Sequence, residues 1–364
     1  MTKKRRSPLF DALRAPVQSY DGEELAKLLG QVNPQRVRSL TASIAEYLAV
    51  NLPLALERRS GLSGYRTNPY VLMASASTMR LAEPSDLASF LFNNKLYMGF
   101  ETSFGKSIES VFLSHYPLNS EALERWVDPP EKLAEAATLE GLSRQQKAMR
   151  RTGSVWREVD KSCVLGQRRY MTTIKSGPNC INDSQVQAMT DAVRRNHAKW
   201  LADTRRTYSD VRFLDVVIGI TYGTDRTTNN KENQILAKLL KGGFVEEDRV
   251  ASPGVLVDKA TRSVRVYRRV GRDFWAFVGN PDEPGSAAFV FLEILLALTM
   301  ALSKAARSPE IEARLNEKIK ALSDAFRNLM FPRTALPAWV SEDIGEDQLF
   351  WFAAAITAFY DEGI

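Results

Sequence analysis

The chain has 364 residues, 44% hydrophobic and 25% charged, the balance of a soluble globular protein with one large domain or two. Two cysteines, Cys163 and Cys180, are too few for a disulfide framework or a four-cysteine zinc site, and two histidines, His115 and His197, argue against histidine-rich metal chemistry. The net charge of +6 is uneven: residues 144–212 hold 15 basic against 6 acidic residues, a local balance of +9 that leaves −3 elsewhere. Such a concentration fits a polyanionic partner, or else a solvated helical face.

In chain order, residues 1–9 read as a flexible basic arm. No apolar signal-peptide core follows the start MTKKRRSPLF, which points to a cytoplasmic protein with no membrane partner. Apolar residues at helical spacing predict helices over 23–32 and 35–60, the second kinked at Pro53. Pro84-Ser85-Asp86 opens another helix over 84–100, and a further one covers 102–116 and stops before Pro117. Residues 131–151 form a charged helical stretch closed by Gly153.

The pattern then changes. VWREVDKSCVL (155–165) and RRYMTTIK (168–175) read as two strands joined by a Gly166-Gln167 turn. SGPN breaks the chain, and a long helix over 183–206 starts at Asp183 or Ser184. VRFLDVVIGITYG (211–223) is the most apolar strand and belongs at the centre of a sheet. Two shorter strands fall within 252–270, and helices dominate from 271 onward. The apolar run 287–302 is short for a bilayer and carries Glu293, so it reads as a buried helix. The expected fold is α/β (α+β), a mixed sheet flanked by helices. A helical N-terminal region (10–98) precedes a core over 99–295, and a helical C-terminal region (296–364) follows it.

The hairpin carries the geometric argument. A two-residue turn pairs Leu165 with Arg168, which sets Asp160 opposite Thr173 and Glu158 opposite Lys175. Residues two apart share a sheet face, so these four side chains are expected to project together. Carboxylates beside a lysine at a strand end can hold a divalent cation and orient a water, and oxygen ligands suit Mg²⁺. The same spacing also describes an ordinary surface ion pair on a hairpin.

Lys175 is followed at once by Ser-Gly-Pro-Asn and then by a helix bearing Gln185. Here the chain resembles the PD-(D/E)XK nuclease superfamily, and within it type II restriction endonucleases of the PmeII kind. The resemblance rests on NPYVLMA (68–74), ETSFGKSIE (101–109), VD (159–160), IKSGPNCINDSQVQAM (174–189), TYG (221–223) and FWAFVGN (274–280), in that order. It covers residues 68–295, and IKSGPN…SQ is its most specific part.

The resemblance implies a Mg²⁺-dependent endonuclease hydrolysing phosphodiester bonds of double-stranded DNA at a specific sequence. It also implies a homodimer, with two matched sites cutting both strands, and a functionally paired DNA methyltransferase. Asp160 matches the metal-binding aspartate, Lys175 the motif lysine, Glu109 the glutamate of the upstream helix, and Gln185 a glutamine beyond the lysine. The superfamily's acidic residue two before the lysine falls on Thr173, a poor Mg²⁺ ligand. A second carboxylate then comes from Glu109 first or Glu158 second, with the Ile174 carbonyl as a further ligand. Lys175 either stabilises the pentavalent phosphorane or helps to deprotonate the attacking water.

Ser176 and Asn179 can contact phosphate, although turn chemistry explains them as well. Tyr222, Asp225 and Arg226 follow the central strand in a loop that can reach a DNA groove or stay an ordinary surface loop. Arg194, Arg195, Arg205 and Arg206 suit phosphates. Lys241-Gly242-Gly243 is too short for a P-loop and reads as a helix end. The histidines lack a nucleophile to pair with, and the cysteines read as packed thiols. Two rival readings stand beside the restriction enzyme: a structure-selective or repair nuclease of the same superfamily, and a DNA-binding protein with a degraded site.

Overall fold

The computed structural model describes residues 22–57, 68–119, 122–177, 181–224, 230–248, 254–305, 309–328 and 337–356. The basic arm, Asn179, Cys180, Asp225 and Arg226 lie outside these residues.

Seven strands form one mixed sheet. They are β1 (Ala122–Val127), β2 (Lys161–Leu165), β3 (Arg168–Lys175), β4 (Phe213–Ile220), β5 (Val245–Glu247), β6 (Leu256–Asp258) and β7 (Val264–Val270), in the spatial order β1-β2-β3-β4-β7-β6-β5. β1, β2 and β3 are antiparallel, β4 runs parallel to β3, and β7 parallel to β4. β6 and β5 return antiparallel at the far edge. The run FLDVVIGI makes β4 central because all but its first residue can be buried on both faces. Gly219 on that strand is required, since a Cβ there would collide with the Phe274 ring.

The β2–β3 turn places Gly166 at φ +53, which glycine adopts without strain. Its register runs from Leu165 opposite Arg168 to Lys161 opposite Thr172, as the turn length predicts.

The helices, in order, are α1 (Gly22–Gln31), α2 (Pro34–Glu57), α3 (Pro69–Met79), α4 (Pro84–Ser107), α5 (Pro130–Ala137), α6 (Arg144–Thr152) and α7 (Asp183–Thr207). Then follow α8 (Lys231–Lys241), α9 (Arg272–Gly279), α10 (Val290–Ala305), α11 (Pro309–Asn328), α12 (Ala338–Asp343) and α13 (Glu346–Ile356). One sheet face presents Tyr170, Ile174, Val217 and Tyr267 to apolar residues of α1, α2, α9 and α10. The other presents Met171, Val216, Ile218 and Val266 to α7 and α8. A third core holds no strand: Leu72 and Ala76 of α3 and Leu87, Leu91 and Phe92 of α4 meet Leu322 and Phe326 of α11 and Phe350 and Trp351 of α13. Helices from the two ends of the chain therefore pack together.

By length and composition, the segment Pro284–Leu302 is apolar enough to cross a membrane, and half of it is buried inside the fold. Glu293 within it is fully buried and takes Nε and Nη2 of Arg36 at 2.7 and 2.6 Å, the Asn33 N–H at 3.0 Å and the Tyr116 hydroxyl at 3.1 Å. This cluster ties α10 to α2. Arg36→Ala should cost about 3–5 kcal/mol in urea unfolding, because it strands a buried carboxylate. Adding Glu293→Leu to that variant should recover much of the loss, and no recovery would show that packing, not charge, governs the contact.

Several sequence expectations give way. The segments read as helices over 84–100 and 102–116 are one helix, α4, followed by a π-turn (Ile108–Phe112) and a short 3₁₀ turn (Leu113–His115). The stretch 131–151 is two helices separated by a turn in which Gly141 has φ +81. The strand expected over 155–165 begins only at Lys161, because Trp156 turns inward and stacks near Trp200 at 6.2 Å. The helix α3 and the strands β1 and β5 have no counterpart in the sequence reading, and of α8 only its end at Lys241-Gly242-Gly243 was read.

Candidate active site

The hairpin register fixes the first part of the site. Asp160 lies one residue before β2, and its N–H donates to the Thr172 carbonyl at 2.9 Å, one residue out of the β2–β3 register, so regular pairing stops at Lys161. Its carboxylate folds back over the end of β3: Oδ2 accepts the Ile174 N–H at 2.6 Å and the Thr173 hydroxyl at 3.3 Å. These bonds orient the carboxylate. Thr173 is almost fully buried, and its hydroxyl serves Asp160 rather than a ligand of its own. Lys175 ends β3 half-buried, and its carbonyl is held by the Thr221 N–H at 3.0 Å. Carbonyls two apart along a strand point the same way, so that of Ile174 faces the Asp160 side, as that of Thr172 does.

Glu109 arrives from the other side of the sheet. α4 presses Gly105 against Ser176, with room for a Cβ only at van der Waals distance, 3.5 Å from that of Ser176. Glu109 is four residues further on, roughly one turn along the same helical side. The helix widens there into the π-turn, closed by the Leu113 N–H to the Ile108 carbonyl, while Ile108 and Phe112 anchor it in the core. Such widened turns are frequent at functional positions.

Glu109 makes no hydrogen bond or ion pair among the described residues. Burial raises its carboxyl pKa above the usual glutamate value, and the negative charge of Asp160 raises it further. Lys161, Lys132 and Lys175 oppose that rise. Glu109 therefore lies within electrostatic range of Asp160 and of three lysines. Lys132 donates to the Val159 carbonyl at 2.6 Å, and Lys161 pairs with Asp128 at 3.2 Å. Sequence reasoning missed both. Lys161 could have been found beside Asp160, but Lys132 sits on α5 with no motif to mark it.

Glu158 takes a different position. It belongs to a turn rather than to β2, its oxygen lies 3.4 Å from Nε of Arg157, and it lines a cleft with Asp191 and Arg195. The expected projection of Glu158 beside Lys175 from a shared strand face is therefore corrected. Gln185 is half-buried in the first turn of α7, where its Oε1 accepts the Asn182 N–H at 2.9 Å while Asn182 Oδ1 accepts the Gln185 N–H at 2.9 Å. This reciprocal capping box fixes the start of α7, which begins with Asn182 as cap. Tyr222 is exposed and leans over Gly177, where any Cβ would strike its ring.

The basic segment is less free than its count suggests. Arg169 is fully buried, bidentate to Glu131 at 2.8 Å, and lies over the Trp156 and Tyr208 rings. Arg168 pairs with Asp215. On α7, Arg194 and Arg195 face Asp191 at 3.4 and 3.8 Å, and Lys199 and Arg206 both reach Asp203 at 3.1 Å. Arg205 donates to the Arg212 carbonyl at 3.0 Å.

The histidines are structural: His115 lies 3.3 Å from the Ser43 hydroxyl, and His197 stacks on Phe244 at 4.9 Å. Cys163 is a buried thiol, and Gly242 and Gly243 close α8.

Among the described residues no three His, Cys, Asp or Glu side chains converge as a metal-binding group. The oxygen donors that could hold a cation are Asp160, the Ile174 carbonyl beside it, and Glu109 within electrostatic range. The donor chemistry fits a hard cation such as Mg²⁺: all are oxygens, and the mutual repulsion of two carboxylates is what a divalent cation relieves. The clefts of about 410 and 380 Å³ beside α7 are lined by other residues, so they are separate from this cluster. No family model matches the chain, and no curated protein matches it.

Proposed function

We propose that the chain is a Mg²⁺-dependent endonuclease of PD-(D/E)XK type, acting on double-stranded DNA as a type II restriction enzyme. The observation that carries this reading is the junction of Asp160, oriented by the Ile174 N–H, with Lys175 on the same strand end and Glu109 coupled to both from the opposite helix. Asp160, Glu109 and the Ile174 carbonyl would hold the cation. When bound, Mg²⁺ supplies Lewis-acid stabilisation of the phosphate and a more acidic water.

The chain's own residues do the rest. The Thr173 hydroxyl and Ile174 N–H hold the Asp160 carboxylate in place. Lys175 places a positive charge where negative charge grows on the phosphorane, or takes part in removing the proton of the attacking water. Lys132 and Lys161 add positive potential around Glu109. In this reading two copies of the chain cut opposite strands, and a methyltransferase protects the host's sites.

The test is digestion of a duplex of known sequence with Mg²⁺, followed by mapping of every new end. Recurrent ends at one short sequence support the restriction reading. Cuts confined to junctions, flaps or mismatches identify a structure-selective nuclease instead. Binding without hydrolysis under any divalent cation identifies a degraded site.

A further inference from the structure

Sorting the cations of segment 144–212 by partner leaves one element apart. α6 carries Arg144, Lys147 and Arg150 at intervals of three residues and no acidic residue. None of the three makes a hydrogen bond or ion pair through its side chain among the described residues, whereas on α7 Arg194, Arg195, Lys199 and Arg206 face Asp191 and Asp203 and Arg205 binds the Arg212 carbonyl. Arg144 and Arg150 are exposed and Lys147 half-exposed.

The helix also stands on its own cap: the Ser143 hydroxyl accepts the Gln146 N–H at 3.3 Å, and Gln146 Oε1 accepts the Ser143 N–H at 3.0 Å. Arg144 occupies its first turn, where the helix dipole disfavours a cation and favours an anion. A cation kept at that end, with two more in line behind it, is arranged for an external anion rather than for its own helix. From the end of α6 the chain passes through one turn at 153–158 to Asp160.

We infer that α6 is the backbone-gripping element, binding nucleic-acid phosphates through Arg144, Lys147 and Arg150 beside the site that cuts them. This rests on the nuclease reading. The phosphate backbone is the partner the chemistry favours, because the three cations are periodic, without an ion-pair partner among the described residues, and borne on a strongly polar helix whose exposed apolar surface among those residues is Met149. By contrast, Arg194 and Arg195 share Asp191, which offsets one of their two charges, so they contribute less.

The experiment measures duplex binding by fluorescence anisotropy from 50 to 200 mM salt, with Ca²⁺ replacing Mg²⁺ so that no cleavage is needed. The triple variant Arg144→Gln, Lys147→Gln, Arg150→Gln is compared with wild type and with Arg194→Gln, Arg195→Gln. Each phosphate contact contributes about −0.9 to the log–log slope, so losing three should flatten it by about 2.7. Over that fourfold range the wild type should then lose about 40-fold more affinity than the triple variant does. The α7 pair should stay close to the wild-type slope. Circular dichroism and thermal unfolding should show the triple variant folded, since among the described residues these side chains make no hydrogen bond or ion pair.

An unchanged slope in the triple variant, or an equal flattening in the α7 pair, overturns the assignment of α6 while leaving the nuclease reading intact. Absence of salt-dependent DNA binding in the wild type overturns that reading itself. Binding of the wild type to anionic phosphatidylserine vesicles but not to DNA, lost in the triple variant, overturns the choice of partner.

Discussion

Asp160→Ala or Lys175→Ala should reduce DNA hydrolysis by about 10²–10³-fold or more, the scale seen when one preorganised electrostatic group is removed from a reacting centre. DNA affinity in Ca²⁺ should change little, because neither residue belongs to the phosphate-gripping helix. EDTA should abolish hydrolysis in the wild type. Thr173→Val should act indirectly: it removes one of the two hydrogen bonds on Asp160 Oδ2 while keeping the Ile174 N–H, so the loss should be smaller than that of Asp160→Ala. Single-turnover rates with a defined duplex read these effects apart from binding. Full activity of Asp160→Ala would remove the centre of the proposal.

Glu109→Gln should abolish hydrolysis and at the same time make the protein more stable at neutral pH. Burial and the neighbouring Asp160 raise the Glu109 pKa in the folded state, so folding favours its protonated form. Stability from this group is fullest below the ordinary glutamate pKa of about 4.3 and falls as pH rises through the raised folded value. Above that window the charged carboxylate opposes folding, and glutamine removes the opposition. A rise on the order of 1–2 °C in Tm at pH 7.5 is expected, shrinking to nothing near pH 4. Mg²⁺ should raise the wild-type Tm more than that of Glu109→Gln, since a ligand stabilises only the state that binds it. Glu158→Ala is the contrast, with hydrolysis largely kept, because Glu158 lies with Arg157, Asp191 and Arg195. A Tm that falls in Glu109→Gln, or equal losses from Glu158→Ala, would defeat the assignment.

Local pattern made the β2–β3 hairpin, α7 and β4 readable from sequence. A two-residue turn leaves one register for the hairpin; pairing stops at Lys161, one residue short of Asp160, whose side chain still reaches Thr173. The unbroken apolar run of β4 left little choice but the sheet centre. Glu158 failed because period 2 in sequence cannot show where pairing stops. The burial of Trp156 against Trp200 takes the chain out of the sheet before β2 begins. Charge counting failed in a similar way. Arg169 counts as surface charge in a tally, yet it is spent inside the fold on Glu131. β1 went unseen because its residues ALERWV carry a helix-like composition, and antiparallel pairing to β2 decides their conformation.

The continuity of α4 gives the reactive edge an unusual mount. One end of this 24-residue helix is embedded among α3, α11 and α13, and the other leads directly to Glu109. At about 1.5 Å per residue the rod is roughly 36 Å long. The carboxylate is therefore aimed from a footing built by α3, α11 and α13, while Asp160 and Lys175 are held at the edge of the sheet. One residue inserted between Phe92 and Glu109 would swing that carboxylate through about 100° and leave the other two in place. Alignment between the two supports is thus a matter of helical phase, set at a distance from the bond to be cut.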